Sequence, residues 1–310
     1  MHLLLFLLNP GVIGVLSLFL SVIWMLRDEK DKTRPLLVFA LILNLFFGFL
    51  LTIFMSREGG LLPWKYDHVL FALDRALGIN AAPIAAALQG SLRIPLVVIY
   101  QLMVPMMVVW FLVTEYRNPR GSVVLAYVGE LVAGPLLYAI LPGCGPIYAF
   151  GAKWLNPPLV SAVPIKLAAM PNAFPSLHIG TALVFVLFAP GKLWRAVSLV
   201  FLFGTGLATL STGEHYVIDL VGGLAFGCFA ACVGYRRFRG ALFYLIVVAF
   251  WSLVLRFGYP LLIAHPILLQ LMAVLTVGMA VHAVVKEWRT PVECTAEQDH
   301  QERQSVPVAD

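Results

Sequence analysis

The chain alternates between long apolar runs and short polar turns. Apolar stretches of about 20 residues have the length that crosses a lipid bilayer as a helix, and the pattern predicts nine of them. They cover residues 3–26, 35–55, 93–114, 122–141, 176–190, 194–212, 215–235, 240–258 and 261–285. The charged segment "RDEKDKTR" follows the first run without a small-residue cleavage site, so we expect that run to be a retained helix.

Composition agrees with this pattern. Hydrophobic residues make up 61% of the 310 residues and charged residues only 12%, and the mean hydropathy is +0.90. Soluble domains carry a charged share of about 25%, so a soluble globular protein is excluded. The sequence predicts an all-α, polytopic transmembrane helix bundle.

Lysine and arginine predict the orientation of the bundle. If the "RDEKDKTR" turn is cytoplasmic, 14 of the 21 Lys and Arg residues fall on the inner side, most of them in short turns. This is the positive-inside bias of membrane proteins, and it predicts an outer N-terminus and an inner C-terminus. The bias also accounts for the net charge of +5, which therefore does not indicate a nucleic-acid partner.

Two outer segments are longer than a simple connection requires. Residues 56–92 contain "WKYDHVLFALDRALG", whose apolar residues recur at helical spacing, and we expect an amphipathic helix on the outer surface. Residues 142–175 are rich in proline and glycine and predict a folded loop that shapes or covers a site. The expected domains are a membrane domain at 1–286 and a polar, disordered tail at 287–310.

Candidate catalytic residues lie at the outer ends of two predicted spans. His178 opens the fifth span, and His215 opens the seventh, four residues before Asp219. On a helix this spacing would put Asp219 beside the imidazole, so that the carboxylate orients the ring. A carboxylate inside a membrane span is costly, which favours a functional role. Two imidazoles on one face of the membrane suit phosphoryl transfer, in which one attacks phosphorus and the other protonates the leaving oxygen.

The motifs "FPSLHIGTA" and "HYVIDLVGG" resemble the second and third signature motifs of the type 2 phosphatidic acid phosphatase superfamily. Together with "LLYAILPGCGPIYAF" and "LDRALG", they are similar to the inositol phosphorylceramide synthase-like branch. The resemblance covers about residues 66–235. It implies a six-helix-like catalytic core, which we expect at about 66–240.

The resemblance also implies roles for individual residues. His215 would be the nucleophile that forms a phosphohistidine, Asp219 would orient it, and His178 would be the general acid and then the base. Ser176 would help to bind phosphate, for which the start of its helix also supplies free N–H groups. No metal and no cofactor is expected. The implied substrate is a phospholipid or a polyprenyl phosphate, with water or a lipid alcohol as acceptor.

The chain departs from the phosphatase members of that superfamily. They carry a Lys-x6-Arg-Pro motif and a Ser-Arg pair before the second histidine, whereas here Thr209 stands six residues before His215 and no Lys-x6-Arg-Pro occurs. The phosphate must find its cations elsewhere, and we favour Arg93. The other outer candidates are Arg75, Lys153, Lys166 and Arg256.

Other polar and small residues in the spans are expected to have structural roles. Glu130 is expected to make a polar contact within the bundle, and Glu214 to face water. His265 and His282 read as packing or interfacial residues, and the pair Gly222 and Gly223 is expected to allow close helix packing.

Several alternatives stay open at this point. Water and a lipid alcohol would resolve the same phosphohistidine, so the sequence does not separate a phosphatase from a transferase. A transporter with a His/Asp relay is a rival function, although the histidines lie at helix ends and no inverted repeat is visible. The sequence favours a multi-pass protein of a bacterial inner membrane with its site on the extracytoplasmic face, and leaves the oligomeric state open.

Overall fold

A computed structural model describes residues 38–39, 41–42, 45–46, 61–114 and 121–289. The first predicted span, and most of the second, lie outside these residues. The described part contains twelve α-helices and one small antiparallel sheet. The expected all-α fold is therefore confirmed for this part of the chain.

The helices follow one another with short connections. They are α1 (Asp67–Ala76), α2 (Ala81–Ala87), α3 (Arg93–Gln101), α4 (Met103–Thr114), α5 (Val123–Ile140), α6 (Pro146–Phe150), α7 (Leu177–Phe188), α8 (Gly191–Thr212), α9 (Val217–Gly234), α10 (Phe238–Phe257), α11 (Tyr259–Ala264) and α12 (Pro266–Arg289). Strands β1 (Trp64–Lys65) and β2 (Ile165–Lys166) pair with Trp64 opposite Lys166.

Five helices of the described part are long and apolar enough to cross a membrane: α5, α8, α9, α10 and α12. The number rises to seven if each of two bent pairs counts as one span, α1 with α2 at 86° and α3 with α4 at 51°. Such helices make the chain an integral membrane protein. Nine spans are not reached within the described residues, and the six-helix core stays a prediction.

One predicted span is too short to cross a bilayer alone. Helix α7 has 12 residues, which corresponds to about 18 Å at 1.5 Å per residue, against a hydrocarbon core of about 30 Å. All its residues from Ile179 onward are buried. Helix α7 is therefore the centre of the bundle, surrounded by longer helices.

Within "WKYDHVLFALDRALG", residues Asp67–Ala76 form helix α1, but the prediction that this helix lies on the surface is wrong. In α1 both Asp67 and Asp74 are buried, at 0% and 1% exposed. Their burial is tolerated because each carboxylate accepts hydrogen bonds from backbone N–H groups of neighbouring segments. Helix α1 therefore packs into the bundle at the end where the two histidines lie.

The bend between α3 and α4 has a cause in the sequence. Pro105 has no backbone N–H and cannot donate to the carbonyl of Gln101, and its ring crowds that carbonyl. The helix axis turns by 51° at this point. The bend leaves Tyr100 in the last turn of α3, directed towards the start of α7.

Helices α7 and α9 approach closely because glycines line their contact. A Cβ atom at Gly222 would lie 2.5 Å from the ring of Phe174, and one at Gly223 would lie 2.6 Å from the carbonyl oxygen of Ser176. Both distances are too short for any larger residue without movement of the backbone or ring. The expected role in close helix packing is confirmed at Gly223, which contacts the start of α7, whereas Gly222 makes room for Phe174 of the loop before α7.

The two ends of the bundle differ in composition. At one end of the bundle, side chains connect the ends of different helices. The indole of Trp288 in α12 donates to the carbonyl oxygen of Val186 in α7 at 3.0 Å, and Arg237 pairs with Glu287. The cations of the described residues at this end are Lys192, Arg195, Arg236, Arg237, Arg239, Lys286 and Arg289. The loops before α7 and α9, with both histidines, lie at the opposite end.

The end of α12 corrects one expected boundary. The helix continues to Arg289, so the tail predicted from residue 287 begins at least three residues later. Residues 290–310 lie outside the described part, and the division into a membrane domain and a tail otherwise stays a prediction.

Candidate active site

Three loops meet at the histidine end of the bundle: residues 143–145, 172–176 and 213–216. The carbonyl oxygen of Gly143 accepts hydrogen bonds from the N–H groups of Asn172 and Ala173, at 2.8 and 2.9 Å. At Gly145, which has a φ of +101°, a Cβ atom would lie 2.2 Å from the carbonyl oxygen of Glu214. A glycine is required there, which explains part of the "PGCGP" sequence.

His215 lies in the connection between α8 and α9 and not on a helix. Helix α8 ends at Thr212 with Gly213 in the left-handed conformation, at φ +74°, and α9 begins at Val217. The assumption that His215 and Asp219 share one helical face is therefore wrong, because His215 precedes the helix. The two side chains are nonetheless neighbours, and His215 is only 2% exposed.

The hydrogen bonds of His215 define which ring nitrogen carries the proton. Nδ1 lies 3.0 Å from the carbonyl oxygen of Ala173 and 3.5 Å from Oδ2 of Asp219. A carbonyl oxygen can only accept, so Nδ1 donates. In the neutral ring Nε2 then has a free lone pair, and it faces the Oγ atom of Ser176 at 3.2 Å.

The carboxylate of Asp219 contacts both the start of α9 and the imidazole of His215. Its Oδ2 atom accepts the N–H of Tyr216 at 2.7 Å, which satisfies one of the free donors at the start of α9. Its Oδ1 atom has no hydrogen-bond partner among the described residues. With 0% exposure, the carboxylate places an uncompensated acceptor and negative charge beside the imidazole.

Ser176 links α7, which carries His178, to α9, which follows His215. It is the N-cap of α7, where its Oγ accepts the N–H of Ile179 at 3.4 Å. Its own N–H donates to the carbonyl oxygen of Asp219 at 3.0 Å. Because Oγ accepts from Ile179, its hydroxyl proton is free to point at Nε2 of His215.

His178 is the second residue of α7, and its ring faces His215. The ring centroids are 5.8 Å apart with the planes at 70°. On its other side His178 stacks on Tyr100, with centroids 4.4 Å apart and planes at 26°. The structure thus brings together His178, His215, Asp219 and Ser176, as the sequence predicts.

Sequence reasoning missed two supporting carboxylates. Asp67 accepts the N–H groups of Cys144 and Gly145 at 3.0 and 2.8 Å, and the hydroxyl of Tyr216 at 3.1 Å. Asp74 accepts the first two N–H groups of α9, from Val217 and Ile218, at 2.8 and 2.9 Å. The sequence contains a sign of their burial, because a spacing of seven residues puts both carboxylates on the apolar face of α1.

Glu214 lies at the rim of the site. It is half-buried and not directed simply into water, since Tyr148 donates its hydroxyl to Oε1 of Glu214 at 3.0 Å. Burial raises the pKa of Glu214, and the hydrogen bond from Tyr148 and the nearby His215 oppose this rise. Burial and the neighbouring carboxylate raise the pKa of Tyr148 to about 12. The phenol is therefore a hydrogen-bond donor at neutral pH.

No hydrogen bond or ion pair among the described residues joins the favoured cation to the histidines. Arg93 is the exposed first residue of α3, and Tyr100, the residue of this helix that contacts His178, is seven positions or about 10 Å further along. Among the described residues, none of the five candidate cations has a hydrogen bond or ion pair with either histidine. Arg256 instead donates to the carbonyl oxygen of Ile140, and Lys166 lies over the ring of Trp64 at 5.2 Å.

Glu130 makes the polar contact expected of it. Thr181 donates its hydroxyl to Oε2 of Glu130 at 2.7 Å, which joins α5 to α7 inside the bundle. Within the described residues no group of three or more His, Cys, Asp or Glu side chains could hold a metal ion.

Comparison with known families agrees with the geometry. A family model described as the PAP2 superfamily matches residues 68–233, which is more than half of the chain and includes His178, His215, Asp219 and Ser176. The chain therefore belongs to the PAP2 superfamily and is an enzyme of the phosphatase or phosphotransferase type. Searches of curated proteins and of solved structures returned no match.

Proposed function

We propose that this protein transfers the phosphoryl group or the phospho-head group of a membrane lipid through a phosphohistidine at His215. The substrate is a phospholipid or a polyprenyl phosphate. The acceptor is water, as in a lipid phosphate phosphatase, or a lipid alcohol, as in an inositolphosphotransferase-like enzyme. The motifs quoted above favour the inositol phosphorylceramide synthase-like branch.

One observation carries the proposal: the two ring nitrogens of His215 have different partners. Nδ1 is held by Ala173 and Asp219, and Nε2 presents its lone pair towards Ser176. A nucleophilic imidazole needs this arrangement, since the donor nitrogen fixes the ring and the negative charge of Asp219 stabilises the positive charge that develops on attack.

In the first step Nε2 of His215 attacks phosphorus, and the bond from phosphorus to the leaving lipid oxygen breaks. The leaving oxygen takes a proton from protonated His178, whose ring faces that of His215 with the ring centroids 5.8 Å apart. The products are a phosphohistidine, which carries the phosphoryl group or the phospho-head group, and a free lipid alcohol.

In the second step His178, now neutral, takes the proton of the acceptor hydroxyl. The acceptor oxygen attacks phosphorus, the N–P bond breaks, and its electron pair returns to Nε2. Ser176, which donates towards Nε2 in the free enzyme, is positioned to donate to a phosphate oxygen once substrate occupies the space. The N–H groups at the start of α7 add further donors for that oxygen.

The proposed location is the extracytoplasmic face of a bacterial inner membrane. The histidines lie at the end of the bundle opposite the cation-rich turns that the positive-inside rule assigns to the cytoplasm. A substrate in the outer leaflet would then enter between the helices from the lipid phase.

The transporter alternative has no support among the described residues or from the comparisons. A relay through the membrane needs ionisable residues at successive depths. Asp219 and both histidines lie at one end of the bundle, and Glu130 is paired with Thr181.

Product analysis tests the proposal. Purified protein is incubated with phosphatidic acid, a polyprenyl phosphate or phosphatidylinositol, with and without ceramide or diacylglycerol, and products are identified by mass spectrometry. The test variant is His215→Gln, and the matched control is His282→Gln, at an exposed histidine of α12. We expect turnover by the wild type and the control and none by His215→Gln; equal turnover by all three would overturn the proposal.

A further inference from the structure

The ring of His178 is held differently from that of His215. His215 has hydrogen bonds or close polar contacts at both nitrogens. His178 has no hydrogen bond to any described residue, and its aromatic contacts are the stack on Tyr100 and the T-shaped contact with His215. The aromatic face of Tyr100 is therefore the principal contact that fixes the plane of the His178 ring.

The position of Tyr100 follows from the packing of its helix. Tyr100 lies in the last turn of α3, immediately before the bend that Pro105 causes. The preceding residue, Ile99, fits against α8 at Gly204, where a Cβ atom would lie 3.1 Å from Cδ1 of Ile99. A rigid contact on one side and the bend on the other fix the direction of the phenol ring.

We propose that Tyr100 is a positioning residue for proton transfer by His178. The inference rests on the proposed function and deepens it, because it names the group that aims the general acid. Tyr100 acts through the ring of His178, whereas His178 exchanges the proton with the leaving oxygen and the acceptor.

The geometry gives the stack two effects. A near-parallel ring at 4.4 Å limits rotation of the imidazole about its side-chain bonds and keeps both nitrogens in the plane that points at the site. The electron-rich face of the phenol also favours the cationic ring that serves as the acid. Both effects need the aromatic face, and neither needs the hydroxyl group.

A test with two leaving groups separates this role from a structural one. The leaving group of a long-chain alkyl phosphate is a basic alkoxide, which needs a proton. The leaving group of a long-chain nitrophenyl phosphate is a stable phenolate, which does not. Loss of proton donation should slow only the first substrate. General damage to the fold should slow both.

The variants are Tyr100→Leu and Tyr100→Phe. For Tyr100→Leu we expect kcat on the alkyl substrate to fall by roughly 10- to 100-fold, and kcat on the nitrophenyl substrate by less than about 3-fold. Tyr100→Phe should stay within about 3-fold of wild type on both. The matched control is Tyr127→Leu, at a buried tyrosine of α5, which should leave the ratio of the two rates unchanged.

Each outcome is decisive. Equal losses on both substrates in Tyr100→Leu, or a Tyr100→Phe variant as slow as Tyr100→Leu, would overturn the inference while the proposed function stands. A wild-type protein that turns over neither substrate, nor any lipid phosphate of the product assay, would overturn the proposed function and this inference with it.

Discussion

Nδ1 of His215 lies closer to the backbone carbonyl oxygen of Ala173, at 3.0 Å, than to the carboxylate of Asp219, at 3.5 Å. The main chain before α7 therefore sets the tautomer of the ring. The carboxylate contributes its negative charge and a second, longer contact. This division of roles leads to a specific expectation for the loss of the charge.

Asp219→Asn should reduce kcat without abolishing it. The substitution removes the negative charge that stabilises the cationic ring, but Ala173 still holds the Nδ1 proton. We expect kcat to fall by roughly 10- to 100-fold, less than where an aspartate alone fixes the tautomer, for which losses reach about 10⁴-fold. Steady-state kinetics on the best lipid substrate measures this, and unchanged kcat would contradict the role of Asp219.

Ser176 can be compared with a second N-cap serine. Ser122 caps α5 as Ser176 caps α7, each Oγ accepting a backbone N–H at 3.4 Å. Loss of such a cap costs about 1 kcal/mol, so Ser176→Ala and Ser122→Ala should lower the melting temperature by similar amounts. Only Ser176→Ala should also raise KM, because only Ser176 reaches Nε2 of His215. Equal kinetic effects in both variants would contradict a phosphate-binding role.

Asp74 should be essential to the stability of the site. Asp74→Ala leaves the buried N–H groups of Val217 and Ile218 without an acceptor, at a cost of about 2 kcal/mol or more. The neighbouring variant Arg75→Ala, on the exposed side of the same helix, should change stability by no more than about 0.5 kcal/mol. Thermal unfolding in detergent compares them, and equal melting temperatures would refute the capping role.

The difference in stability between wild type and Glu214→Gln should depend on pH. Burial raises the pKa of Glu214, so the folded chain binds the proton more tightly than the unfolded chain does. Its contribution is fully present below the unfolded-state pKa of about 4.3 and is lost as pH rises through the folded-state pKa. We expect Glu214→Gln to melt higher than wild type at pH 7, with the difference shrinking towards pH 4. A difference independent of pH would contradict the burial of this carboxyl.

The membrane character and the identity of the site could be predicted because both depend on local sequence. Apolar runs predict the long helices α5, α8, α9, α10 and α12. In lipid every backbone polar group must be hydrogen-bonded within the protein, and a helix meets this requirement within one segment. His178 and His215 were found from their positions at the starts of two runs. The pairing of His215 with Asp219 was correct in outcome, although the connecting loop and not a helix brings them together.

The remaining features depend on contacts between distant segments. The carbonyl of Ala173 carries no side-chain signal, and its approach to His215 depends on the loop that Gly143 anchors. The sequence predicts a surface position for Asp67 and Asp74, because the backbone donors that make their burial tolerable lie 77 and 143 residues away along the chain. Tyr100 reaches His178 from a helix that is distant in sequence and ends at the 51° bend.

The proposed phosphohistidine can be detected directly by a search for the phosphorylated residue. His178→Gln is mixed with the nitrophenyl substrate, because formation of the intermediate then needs no proton donor while its breakdown still needs a base. After rapid quenching at alkaline pH, tandem mass spectrometry identifies the modified side chain. We expect an acid-labile phosphohistidine at His215, absent from the variant that also carries His215→Gln. An acid-stable phosphoserine at Ser176, or turnover without any modification of His215, would contradict it.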